Sequence, residues 1–575
     1  MDDLTLDILW NRLIATVDEQ AAALMRTSFT TIVREAGDLS AGVFDRRGRM
    51  VAQAVTGTPG HINTMATGMV HFLNRFPVDT LVPGDVLITN DPWQTASQLN
   101  DITIATPIFK GDRVVALFAN CCHALDIGGR GLAADSRSVF EEGLAIPVMK
   151  LYRAGQPEEA LFELLKANVR TPVEVLGDIH CQVVGNRVGG QQLLAFLDEF
   201  GLADIEDLAD AIIQRSEAAM GRRIAALPDG EYRHALTLDG FDAPIELRVC
   251  IAVAGERLTV DYSGSSPQVP WGINVALNYT AAYTTYGIKC ALSPDVPNNE
   301  GSFRPVALRA PEGSILNAPF PAAVGGRHLV GHFLPSLIMG ALANALGDTP
   351  LIAPGADGLW DTHVFGTTAQ GQPFSFTWFA SGGTGARNCA DGLSATAYPS
   401  GIAGVPVEVM ETLAPLRVLR RELAPDSGGP GHWRGGLGQT WTVAMTTGRD
   451  YGFSGLYERL HHPAPGLAGG APGAPGQLTV IGAPTPRAKT STTLGAQAVF
   501  TLTLPGGGGF GDPWTRDPAR VQADVVAGLV SVEGARRDYG VVIDSTTLTV
   551  ATAETLALRQ SHRSGETEGG SGEDG

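Results

Sequence analysis

Carboxylates, amides and a histidine gather at the ends of three apolar runs between Val86 and Gly129. Val86–Thr89 reads as a short buried strand that stops at Asn90-Asp91-Pro92, where proline cannot continue a ladder. Isoleucines at 102, 104 and 108 mark Asp101–Phe109 as a strand and Val114–Ala119 reads as another; Lys110-Gly111-Asp112-Arg113 between them has the length and residue types of a hairpin turn. Counting outward from that turn sets Asp101 opposite Cys122 or His123, a choice of register that sequence leaves open. Either way an acid and an imidazole share the open end of one hairpin, and Asp126 follows just before Gly128-Gly129. The arrangement suits either of two chemistries: holding a hard or borderline divalent metal ion, or pairing acid with base. Carboxylates buried together are costly unless a cation or a proton offsets their repulsion.

Other segments can add to this set. Asp38, in Glu35-Ala-Gly-Asp38, stands at the entrance of a strand over Ser40–Asp45 that ends in the turn Arg46–Arg49, and is a candidate fourth acid if the sheet brings the two ends together. The loop Thr56-Gly-Thr-Pro-Gly-His61 runs into an expected helix over Asn63–Phe76, so His61 either caps that helix or lines a site. Cys121 and Cys122, beside His123, read as buried thiols.

The chain that must position these residues has 575 of them, more than one core accommodates, so several domains are expected. Hydrophobic residues make up 44% and charged residues 18%, with 71 glycines, which describes a compact, turn-rich chain. A net charge of -19 argues against nucleic acid as a partner, since phosphate binding needs a basic face. Six scattered cysteines with no C-x-x-C pair argue against a disulfide framework or a zinc knuckle. The N-terminus reads MDDLTLDILWNRL, without a signal-peptide pattern, and no apolar run approaches membrane-spanning length; the expectation is a soluble, cytoplasmic protein with no membrane partner.

Leu6, Leu9, Leu13, Val17 and Leu24 give Leu4–Met25 the spacing of an amphipathic helix. Stripes at Leu161, Leu164, Leu165 and Val169, and at Ile205, Leu208, Ile212, Met220 and Ile224, mark a helical block, and Leu334–Leu346 reads as a further helix. Short strands dominate elsewhere. The expected fold is multidomain α+β, mainly antiparallel sheets with a helical block in the middle. The expected divisions are residues 1–155 (an α+β domain carrying the site), 156–230 (helical), 231–425 (β-rich), 426–560 (glycine-rich β) and 561–575 (a disordered acidic tail).

The glycine clusters at Ser427–Gly431, Gly435–Gly438 and Gly506–Gly509 lack the G-x-x-x-x-G-K-[ST] spacing of a phosphate loop, so no nucleotide site is expected in this chain alone. There is no G-x-S-x-G elbow and no H-E-x-x-H helix. The ordered set Glu35-Ala-Gly-Asp38, Thr58-Pro-Gly-His61, Thr89-Asn-Asp-Pro-Trp93, Leu99-Asn-Asp101, His123-x-x-Asp-Ile-Gly-Gly129, Asp261-Tyr-Ser-Gly264, Asn299-Glu-Gly-Ser-Phe-Arg-Pro305, Asp426–Gly436 and Pro505–Pro513 resembles the hydantoinase B/oxoprolinase family, over about residues 4–560. The resemblance implies a subunit that works with an A-type partner, which binds ATP and phosphorylates the carbonyl oxygen of a hydantoin, 5-oxoproline or other cyclic amide; the B-type chain then completes hydrolysis. A ketone carboxylase subunit, or a catalytically degenerate scaffold, are the alternatives. Carried over by position, the resemblance implies a divalent metal (zinc, manganese or iron) on Asp38, Asp101, His123 and Asp126, with His123 and Asp126 catalytic and His61 and Asp91 on substrate-side loops. Where the family usually has a histidine three residues before the aspartate, this chain has Gln98, a weaker ligand than imidazole for such metals. A hetero-oligomer is the expected assembly.

Overall fold

The computed structural model describes residues 2–95, 97–347 and 351–569. Its first sheet runs β2-β1-β5-β4-β3-β6-β7, with β1 Leu39–Phe44, β2 Met50–Gln53, β3 Val86–Thr89, β4 Asp101–Lys110, β5 Arg113–His123, β6 Met149–Arg153 and β7 Gln156–Pro157. Every neighbouring pair is antiparallel. The β4–β5 hairpin sets Asp101 opposite His123, with a bulge between Ile108 and Phe109, so the open choice of register falls to the histidine. On the far side of β5, Leu39 of β1 pairs with Cys122, and the His123 N–H donates to the Asp38 carbonyl at 3.3 Å. Asp38 therefore joins the same sheet end.

Alternate residues of β5 feed two cores, as the pleat requires. Phe118 and Cys122 pack with Leu13 and Val17 of α1 (Asp3–Thr27), and with side chains of two later helices. Leu117, Ala119 and Cys121 pack with Met65, Met69 and Phe72 of α2 (Pro59–Arg75). The segment expected to stand apart at 156–230 comprises α3 (Glu159–Asn168), α4 (Pro172–Glu199) and α5 (Glu206–Ala225). It packs on the first sheet, because Leu193 of α4 and Ile212 of α5 complete the Leu13–Val17–Phe118 core.

The second sheet, β11-β10-β9-β8, is built from β8 Gly230–Leu238, β9 Ile245–Ala254, β10 Arg257–Asp261 and β11 Val306–Arg309, and pairs β10 with β11 in parallel. Helices α6 (Leu277–Leu292) and α7 (Leu334–Leu346) fill its core. Among the described residues, His328–Leu346 is helical, long and apolar enough to cross a membrane by length and composition, and 78% of that stretch is buried in this core.

The remaining strands are β12 Trp360–Thr367, β13 Pro373–Ala380, β14 Leu416–Leu423, β15 Gln439–Met445, β16 Tyr451–Leu456, β17 Gln477–Ile481, β18 Ser491–Leu494 and β19 Val499–Thr503. They form two sheets, β13-β12-β16-β18 and β14-β15-β19-β17, closed over one core that contains Trp378, Trp441, Phe453 and Phe500. The division expected at 425/426 falls in the connection between paired β14 and β15, so both sides belong to this unit. The glycine clusters interlock backbone to backbone here: Gly429 N–H donates to Gly507 O at 2.8 Å and Gly436 N–H to Thr384 O at 2.8 Å. A Cβ on Gly435 would stand 2.0 Å from Gly507 O, so close strand approach is what these glycines provide.

At the end of the chain, helix Thr552–Gly569 runs through residues expected to be disordered; His562 stacks on Trp514 with ring centroids 3.8 Å apart, which gives the helix a tertiary anchor. The rest of that expected tail, residues 570–575, lies outside the described residues.

Candidate active site

The hairpin end, the start of β1 and the first turn of α2 meet at Asp101, which is fully buried. Proline in the first turn lets α2 begin at Pro59, ahead of the expected Asn63, so His61 lies inside the helix and turns to the sheet. Gly60 permits this approach: a Cβ there would be 2.6 Å from the Tyr279 ring on α6. His61 Nε2 is 3.1 Å from Asp101 Oδ2 and His123 Nδ1 is 2.9 Å from Asp101 Oδ1. Asp38 lies beyond both imidazoles, 3.6 Å from His61 Nδ1 and 3.9 Å from His123 Nδ1, and accepts a hydrogen bond from the Thr58 hydroxyl at 3.1 Å. Gln98 Nε2 donates to Asp101 Oδ1 at 2.8 Å and lies 2.9 Å from His123 Nδ1.

The remaining neighbours come from the second sheet's helices and from β12. The guanidinium of Arg327, itself buried, donates through Nη2 to Asp101 Oδ2, while its Cζ lies 4.4 Å over the Tyr279 ring. Asp361 on β12 faces His328, with Oδ2 3.5 Å from Nε2. Burial opposes the Asp101 charge, but Arg327 and the two imidazoles hold its carboxyl well below the usual carboxylate range. Burial likewise opposes a charge on His61, and Asp101 with Asp38 overcomes it, raising that imidazole's pKa. Asp361 is pushed the other way: burial, reinforced by Asp38, raises its carboxyl well above the ordinary value. His328 is lowered to about 3 by burial and by Arg327, and His332 falls well below its ordinary value through burial and His328. Two carboxyls, Asp101 and Asp361, are thus pushed in opposite directions within one buried cluster.

Of the residues singled out from sequence, Asp38, His61, Gln98, Asp101 and His123 come together. Asp126 does not. Its Oδ1 accepts from Gly128 N–H at 3.0 Å and from Arg170 Nη1 at 2.6 Å, and Oδ2 accepts the Arg170 backbone N–H, so the residue fastens the Gly128-Gly129 turn to the start of α4. Asp91 forms a local turn, accepting from Trp93 N–H at 2.9 Å and Gln94 Nε2 at 3.0 Å. It lines a cavity of about 450 Å³ with Leu99, Phe140 and Phe320. A second cavity, about 660 Å³, is lined by Gly57, Pro59, Ile62 and Asn63, which flank His61, and by Lys289 and Asn298 opposite. Cys121 and Cys122 are buried free thiols whose pKa burial pushes well up.

The residues present do not fit the divalent ion that the resemblance implies. Both oxygens of Asp101 carry two donors each, Gln98 and His123 on Oδ1 and His61 and Arg327 on Oδ2, which uses the four lone-pair directions of a carboxylate. Among the described residues, no group of three or more His, Cys, Asp or Glu side chains is arranged to hold a metal ion. Sequence reasoning missed Arg327, His328, His332 and Asp361. The available signals were two histidines four apart behind Gly325-Gly326, and an aspartate inside the apolar run Leu359-Trp-Asp361.

The sequence profile of the hydantoinase B/oxoprolinase family matches residues 2–513. A protein of Pseudomonas sp. (strain NS671), provisionally named as the B-type subunit of a D-/L-hydantoinase, is 30% identical, over 94% of this chain and 95% of its own length. The crystal structure of the ATP-dependent caprolactamase from Pseudomonas jessenii superposes with a TM-score of 0.88 at 26% identity, covering 97% of this chain and 100% of the caprolactamase chain. A nucleotide-free acetone carboxylase structure superposes with a TM-score of 0.88 at 20% identity, covering 98% of this chain and 83% of that one, a likeness of fold. With a family match over residues 2–513 and a relative 30% identical over nearly the full length of both chains, the chain belongs to the hydantoinase B/oxoprolinase family.

Proposed function

We propose that this chain is the B-type subunit of an ATP-dependent, cytoplasmic amidohydrolase that opens a hydantoin, 5-oxoproline or similar cyclic amide, acting after an A-type partner has phosphorylated the amide oxygen. The observation that carries the reading is the buried Asp101 with an imidazole on each side, His61 and His123. A cyclic amide is a poor electrophile because resonance stabilises it, and phosphorylation of its oxygen removes much of that resistance.

The residues then have distinct tasks. With Nδ1–H donated to Asp101, His123 presents Nε2 as a base that takes a proton from the attacking water, and Asp101 stabilises the imidazolium that forms. Water adds to the ring carbon, giving a tetrahedral centre. That centre collapses with cleavage of the carbon–nitrogen bond: its hydroxyl gives up a proton as the carbonyl forms, the departing nitrogen gains one, and a second water hydrolyses the acyl phosphate left behind to carboxylate and phosphate. The cavity beside the start of α2 has the volume of a small-molecule site and is lined by the residues that flank His61 in that helix.

The test is a reconstituted complex with an A-type subunit, supplied with ATP and a panel of hydantoins, lactams and small ketones, with and without bicarbonate. Ring-opened product and ADP from a cyclic amide, independent of bicarbonate, is the expected outcome. Turnover confined to ketone plus bicarbonate, or no turnover of any cyclic amide by an assembled complex, would overturn the reading.

A further inference from the structure

We propose that the guanidinium of Arg327, and not a divalent metal ion, supplies the fixed positive charge of the Asp38–His61–Asp101–His123 cluster. Three independent features carry this. Arg327 reaches Asp101 from a different sheet's core, and its side chain is only 4% exposed, so a permanent cation is already enclosed with the carboxylates. A guanidinium cannot be deprotonated in a protein, so that charge does not depend on metal supply or on pH.

The loop before Arg327 is built to hold it there. Val324 and Gly325 N–H donate to Glu142 Oε1 at 2.8 and 2.7 Å, Gly326 N–H donates to Gly272 O at 2.6 Å, and Arg327 N–H closes a turn on Val324 O at 3.0 Å. The Tyr279 ring beneath the guanidinium adds a cation–π contact and excludes water.

Gln98 completes the replacement. Its amide Nε2 sits within 2.8 Å of Asp101 Oδ1 and 2.9 Å of His123 Nδ1, between the two atoms that a bound ion would have to bridge. A ligand of metal donates a lone pair, whereas Gln98 turns its N–H donor to Asp101 and leaves its own Oε1 without a hydrogen-bond partner. Gln98 and Arg327 therefore act together, with the neutral donor filling the space and the buried cation balancing the acid.

The inference stands on the cluster's geometry and does not depend on which amide is opened, so its test needs no turnover. Purified full-length chain is incubated with zinc or manganese and desalted, and its metal is counted by plasma mass spectrometry, with thermal unfolding followed with and without each ion. Gln98→His and the double variant Gln98→His/Arg327→Met are treated alike. Wild type and Gln98→His are expected to stay without stoichiometric metal and to unfold at unchanged temperature, because Arg327 still occupies the place. The double variant is expected to gain close to one ion per chain and a metal-dependent rise in unfolding temperature. Stoichiometric metal in wild type, metal in Gln98→His with Arg327 intact, or a folded double variant that stays empty would each overturn the proposal. If the double variant does not fold, the first two measurements still decide.

Discussion

Asp101 and Arg327 form the buried ion pair on which the cluster depends, and removing one partner should cost far more than any surface pair does. Asp101→Asn keeps the shape but leaves the guanidinium without its counter-charge. A loss of about 3 kcal/mol or more in chemical denaturation is the expected outcome, and a loss under about 1 kcal/mol, the range of exposed pairs, would show that the pair is solvated. A second residue-scale prediction concerns Glu142, which supports the Arg327 loop. Burial raises its carboxyl from 4.5 to about 8 even though two backbone N–H groups favour its charge. The folded state therefore holds a proton more tightly than the unfolded state does. The resulting stabilisation is complete below about 4.5, the unfolded value, and is lost as pH rises through about 8. Unfolding temperature measured between those limits should fall more for wild type than for Glu142→Gln, which keeps the acceptor and cannot ionise. Identical pH profiles would remove Glu142 from the account.

At the scale of elements, the hairpin that presents Asp101 and His123 is clamped by a buried amide network. Asn186 on α4 donates to Ile104 O at 3.1 Å and accepts from Gln20 and Asn120, each at 2.7 Å; Gln182, one turn earlier, donates to Ile102 O at 2.8 Å. Asn186→Leu would leave Gln20 and Asn120 with unmet donors, costing about 1–3 kcal/mol per group. A lower unfolding temperature, with faster amide exchange in β4 and β5, is the outcome to look for. The hairpin was legible in sequence because its turn residues and alternating isoleucines are local signals, but counting left Cys122 or His123 opposite Asp101 until the bulge between Ile108 and Phe109 set the register. Asp38 and His61 were legible as candidates, since strand entrances and glycine-proline loops announce themselves. The contribution of α4 was not, because a stripe of apolar residues says that a helix is buried without saying against which sheet.

For the whole molecule, tertiary placement decided what sequence could not. Arg327 and Asp361 reach the cluster from two other sheets' cores, separated from Asp101 by more than two hundred residues, and no local pattern ties them to it. Asp126 shows the converse: its spacing after His123 suggested a ligand, but Arg170, two residues before α4, claims both its oxygens. The glycine clusters likewise serve close backbone packing in the third unit, so Gly435→Ala, whose Cβ would meet Gly507 O at 2.0 Å, should prevent soluble expression or lower the unfolding temperature markedly. At this scale the proposed function is divided between chains, with activation assigned to the partner and hydrolysis to the buried cluster. The most direct measurement is a single turnover of the reconstituted complex carrying His123→Asn, following ADP and ring-opened product together. ADP formation that persists while product formation falls by at least about 100-fold, the usual contribution of a positioned base, is the expected result. Product formed at the wild-type rate by the His123→Asn complex would contradict the assignment of hydrolysis to this site.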